Sequence, residues 1–131
     1  MSTTNPYIKD LGRAPYELAH LMRALPGRIP VDHIMTTDER QQTEAAIVHA
    51  SNANFALMHG LEAIGTILFA AATNENFPPN TETISNIAAL ITQLAIEAQV
   101  MQETQSDLRS DLDVDAERAA RAQPAKKGGA K

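Results

Sequence analysis

The chain has no cysteine and no tryptophan. Without cysteine there can be no disulfide framework, no thiol nucleophile and no zinc–cysteine site. Aromatic residues are scarce: Tyr7, Tyr16, Phe55, Phe69 and Phe77. A core must therefore come from Leu, Ile, Ala and Met, a palette that suits helix packing better than a sheet. Residues 1–10 lack the basic-then-apolar pattern of a signal peptide. The longest apolar run, Ala63–Ala72, has ten residues. A spanning helix needs about twenty apolar residues, so no membrane span is expected. No glycine-rich loop follows a strand-like segment, so no phosphate-cradling motif is present.

A net basic charge is also missing from the body as a whole. The formal net charge is −5 over 131 residues. The final segment, with Arg118, Arg121, Lys126, Lys127 and Lys131, is the one basic stretch. Nucleic-acid-binding domains neutralise phosphates with a basic face on the folded part, so nucleic acid is not an expected partner. The four histidines, His20, His33, His49 and His59, have no spacing that pairs one with a nucleophile. His59 and Glu62, with Glu97, resemble carboxylate–histidine metal sites of helical bundles only in part. Those sites place Glu before His and repeat the motif on two helices. No cofactor, metal site or catalytic residue is assigned, and no enzyme activity is expected.

What the chain does have is two matched ladders. Apolar positions three and four apart run through Ile47, Ala50, Asn54, Leu57, Leu61, Ile64, Leu68 and Ala71. The same spacing runs through Ile84, Ile87, Ile91, Leu94, Ala98, Met101, Gln105 and Leu108. Folded back antiparallel, the facing pairs run from 71/84 to 47/108, and each sums to 155. A sustained three–four repeat in matching register predicts a helical hairpin. Thr36-Thr37-Asp38-Glu39 fits a capping box that starts the first arm. Pro78-Pro79 forbids its continuation. Pro15, with Leu18, Leu21, Met22 and Leu25, predicts a short helix upstream.

The expected fold is therefore all-α: a short N-terminal helix and a long antiparallel hairpin, dimerising into a four-helix-bundle-like assembly. Expected bounds are a flexible N-terminus over 1–14 and a helical domain over 15–115. Its helices fall at 15–25, 38–73 and 81–113, and a disordered basic tail follows over 116–131. The tail has almost no large apolar side chain to offset the entropy of ordering it.

The first arm is too apolar for a bare hairpin. Beside its ladder it carries Ala53, Ala56, Gly60, Ala63, Ile67 and Ala70 on one flank, and Phe55, Met58, Gly65, Phe69 and Ala72 on the other. A helix apolar almost all round is buried on several sides. Phe55, Met58, Gly60, Ile67, Phe69 and Ala72 are accordingly the expected protein interface, with a second copy as the simplest occupant. Asp107, Asp111, Asp113 and Asp115 form an expected acidic surface for an unidentified protein partner. The functional expectation is a small, non-enzymatic, cytoplasmic bacterial protein that regulates or bridges others through helix faces. Two alternatives are a phage or mobile-element inhibitor working through the acidic helix end, and a carboxylate–histidine metal-binding bundle.

Overall fold

A computed structural model describes residues 4–25, 30–76 and 78–122. A 3-10 turn, Leu11–Arg13, leads into α1, Ala14–Ala24. The two long helices follow, α2 over Thr37–Ala72 and α3 over Thr81–Ala122. No strand occurs among the described residues. α2 packs along α3, and α1 packs on α2.

The start of α2 is built as its sequence demands. The Thr36 hydroxyl accepts a hydrogen bond from the Glu39 N–H at 3.2 Å, and the Glu39 carboxylate accepts one from the Thr36 N–H at 2.7 Å. Two donors left over at the helix start are satisfied in one exchange. At the start of α3 the Asn80 side chain accepts from the Thr83 N–H at 2.8 Å.

The ladders form the contact between the arms. In α2 beyond residue 53, positions 54, 57, 61, 64, 68 and 71 are half-buried while most of their neighbours are exposed. Ala98 and Leu108 are the buried ladder residues of α3. Asn54, a polar rung, donates from Nδ2 to the Ala98 carbonyl across the hairpin at 2.7 Å.

The hairpin has two unlike halves. Its open end is a packed base. Leu18 and Leu21 of α1 meet Ala45, Ala46 and Ala50 of α2 and Leu108 of α3, and Tyr7, Leu25, Ile47 and Met101 close around them. Alanines at the contact let the helices approach closely and give the helix the residue of highest propensity. His49 is fully buried in this base. Its Nε2 lies 3.4 Å from the Tyr7 carbonyl, and its Nδ1 has no protein partner.

Two segments lash the base together. The expected flexible N-terminus is instead held along α2 over its described part. Asn5 donates to the Gln41 carbonyl at 2.8 Å, and the Tyr7 hydroxyl donates to Asp38 at 2.5 Å. The connector before α2 is tied to the far end of α3. Asp115 accepts from the Met35 N–H and from Arg40 Nη2, both at 2.6 Å. Arg118 donates to the carbonyls of Pro30 and His33 at 3.3 and 3.2 Å.

Those ties explain why α3 does not end near residue 113 as expected. A solvated, fraying acidic end would stop there. The structure turns Asp115 and Arg118 inward onto the connector, and Glu117 pairs with Arg121 one turn on, so the helix continues to Ala122. The remainder of the expected disordered tail lies outside the described residues, as does Phe77 of the interhelical loop.

Candidate docking surface

Among the described residues, α1 and the turn before it reach along α2 from the base to the groove beside Ala53, Ala56 and Gly60, and Ala53 is 2% exposed. From there to the loop the two helices pack on each other among the described residues. The exposed large apolar side chains of this arm are Phe55, Met58, Ile67 and Phe69 on α2, with Ile84, Leu90, Ile96 and Val100 on α3. Phe69 is 73% exposed and Ile67 is 70% exposed. Leaving a side chain of this size in water forfeits about 1.5–3 kcal/mol, so covering this arm would be favourable.

Every residue of the expected interface lies on this arm. Phe55, Met58, Ile67, Phe69 and Ala72 are exposed, and Gly60 is half-buried. They do not make a single patch. Successive helical residues turn by about 100°, so Ile67 and Phe69 point to opposite flanks of the ladder. Phe55, Met58 and Phe69 share one flank, while Gly60 and Ile67 share the other. A Cβ at Gly60 would meet nothing within 4 Å, so the helix is open there.

On the Gly60 flank an apolar groove of about 450 Å³ opens beside the N-terminal start of α1. It is lined by Leu11, Ala14 and Pro15 at the base and by Ala56, Gly60 and Leu94 toward the arm. The α3 contribution off the ladder, Leu90, Ile96 and Val100, is not among the residues expected from the sequence. Flanking stripes were sought on α2 alone, and the signal was present as apolar residues off the α3 ladder.

The acidic surface survives in part. Asp107, Asp111 and Asp113 are exposed on α3. Asp115 is only 2% exposed and serves the base, so its assignment to a partner surface is corrected. Partial burial, and then the neighbouring Asp107 carboxylate, raise the Asp111 pKa against the opposing pull of Arg118. Glu39 moves the other way. The N–H bond from Thr36, followed by the contact with His33, lowers its pKa.

His59, Glu62 and Glu97 do not come together on the arm. His59 Nδ1 lies 3.5 Å from Glu62, with both side chains largely in water. The His59 ring meets Phe55 edge-on at 4.1 Å between centroids. Glu97 accepts from Gln93 on its own helix at 3.2 Å, rather than joining His59 and Glu62. Among the described residues no group of three His, Cys, Asp or Glu side chains is placed to hold a metal ion.

The arm also overturns the expectation of no membrane span. Both α2 and α3 are long and apolar enough to cross a bilayer. The most apolar 18-residue stretch of α2 has mean hydropathy 1.6 and no buried residue; that of α3 has mean hydropathy 1.3 with 6% buried. An unbroken apolar run is not required for a span, because partitioning depends on the average over the whole span. An apolar helix absorbs an isolated Thr, Gly or Glu without losing that average. Partner expectations drawn on the premise of a purely aqueous hairpin are corrected with it.

The chain matches no family model, no curated protein and no solved structure. Its function must be read from its own surface.

Proposed function

We propose that this protein is a non-enzymatic helical association module: the base is its rigid mount, and the bare arm is the part that docks. The observation that carries this reading is the division of the hairpin. The buried core residues Leu18, Leu21, Ala45, Ala46, Ala50 and Leu108 lie in the base, which also exposes Leu11, Tyr16, Met22 and Val31, whereas on the arm eight large apolar side chains stand 43–73% exposed and no large one is buried among the described residues. The strongest polar contacts of the base have structural partners. Asp115 clamps the connector, and the capping box starts α2.

The test is substitution on the arm with the base as its own control. Phe69→Glu and Ile67→Glu leave the helical far-UV circular dichroism and the urea midpoint of the base unchanged, and abolish association. If either variant associates as the parent does, the arm is not the docking surface.

A second reading of the same surface pairs two hairpins into a four-helix-bundle-like dimer. It is favoured by the small residues Ala56 and Gly60 beside the open groove, where a neighbouring helix can come close. Solution mass by light scattering reports it directly, since a single chain is 14.2 kDa.

A further inference from the structure

Arginine and lysine are absent from an unbroken stretch, Gln41–Leu108, 68 residues long. That stretch contains the whole arm and its loop. All basic residues of the described structure, among them Arg13, Arg23, Arg40, Arg109, Arg118 and Arg121, lie at or around the base. Resting on the reading of the arm as the docking surface, we propose that its occupant is a lipid bilayer: the arm inserts as a two-helix hairpin, with the end of the molecule that carries the arginines and lysines on the cytoplasmic side.

Four observations converge on this. The first is length. The facing pairs 54/101 to 71/84 cover 18 residues on each helix, or about 27 Å at 1.5 Å per residue. The hydrocarbon core is about 30 Å thick.

The second is coverage. Ile67 and Phe69, on opposite flanks of α2, are nearly equally exposed, and Leu90 and Ile96 add apolar surface from α3. A second copy of the chain covers one flank of a hairpin, whereas lipid covers both.

The third is charge. Helical hairpins orient in membranes with Lys and Arg on the cytoplasmic side. Here the arm and the loop carry none, and the loop region has Glu75 and Glu82.

The fourth is polar satisfaction. Thr66, Thr73 and Thr92 each donate a hydroxyl to a carbonyl of their own helix, at 3.0 Å to residues 62, 69 and 88. Lipid offers no water to serve such groups, so internal pairing is what insertion requires. The cost falls on Glu62 and Glu97, one carboxylate on each helix, and on the exposed His59, Asn86, Gln93 and Gln99.

The experiment uses the full chain. The chain has no cysteine, so single cysteines at Asn74→Cys in the loop and Ser110→Cys in the base give clean reporters. The proposal predicts flotation with vesicles of phosphatidylcholine and phosphatidylglycerol, and retention in bacterial membranes through alkaline extraction. In intact spheroplasts an impermeant maleimide labels the loop cysteine and spares the base cysteine. Ile67→Glu lowers the vesicle-bound fraction roughly a hundredfold, the scale of placing a charge in the hydrocarbon. Glu62→Gln with Glu97→Gln raises it.

A soluble dimer that ignores vesicles overturns the bilayer and leaves the docking role of the arm intact. A soluble monomer that neither floats nor associates overturns both. Flotation that survives Ile67→Glu and is lost in high salt overturns insertion, because the base alone is then adsorbing to the headgroups.

Discussion

Replacing Asp115 by Ala removes the one side chain that joins the connector, α2 and α3. The carboxylate is 3% exposed and accepts two bonds of 2.6 Å, from the Met35 N–H and from Arg40. Stranding the Met35 N–H inside the base costs about 1–3 kcal/mol. Arg40 is 45% exposed, so its guanidinium returns to water. Its share is then well below the roughly 3–5 kcal/mol of a fully buried pair. We expect a net loss of about 3 kcal/mol for Asp115→Ala. Asp115→Asn keeps an oxygen acceptor for Met35 and should lose about half as much. At this chain length each kcal/mol lowers Tm by roughly 3–6 °C. Urea titration followed by far-UV circular dichroism measures all of this. Arg40→Ala and the double variant complete a cycle whose coupling should be about 1–2 kcal/mol. An Asp115→Ala variant within about 0.5 kcal/mol of the parent, the range of an ordinary surface substitution, would refute the clamp and return Asp115 to the solvated acidic end.

Other expectations separate the base from the arm. Ala46→Leu, at a fully buried contact, should cost about 1–3 kcal/mol by overpacking, whereas Ala63→Leu on the exposed arm should leave the urea midpoint in place. Asn54→Ala should lose about 1 kcal/mol with its bond to the Ala98 carbonyl. Because the folded state lowers the Glu39 pKa, its stabilising effect is present above the ordinary glutamate value and lost as pH falls through the lowered one; a stability–pH profile should therefore decline below about 4.5, and Glu39→Gln should flatten that decline. Thr36→Ala should cost about 1 kcal/mol at neutral pH by removing the cap, read from the same titration.

The hairpin was legible because its information is periodic. Ladder register, capping box and proline loop each state a local rule, and the helices begin where those rules place them. The clamp was not legible. Asp115 sits among Asp107, Asp111 and Asp113 at a spacing that reads as one acidic stretch, and nothing local marks it as the residue facing Met35, 80 positions away. His49 was hidden in the same way, since burial by Tyr7 and α1 is a tertiary fact. The arm was half legible. Its apolar excess was evident on α2, but exposure on both flanks and the matching surface of α3 needed the hairpin in space. Membrane compatibility was misread because an uninterrupted run was sought where an average decides.

The clamp also has a consequence for the order of events in folding. The hairpin can grow from its loop, each pair of rungs closing only a slightly larger ring than the last. Asp115 meets Met35 across the full length of that zipper, and Arg118 reaches Pro30 still farther away in the chain. Such contacts form after the helices have met. Weakening them should leave the refolding rate nearly untouched and speed unfolding, so the clamp acts as a latch on the lifetime of the folded state.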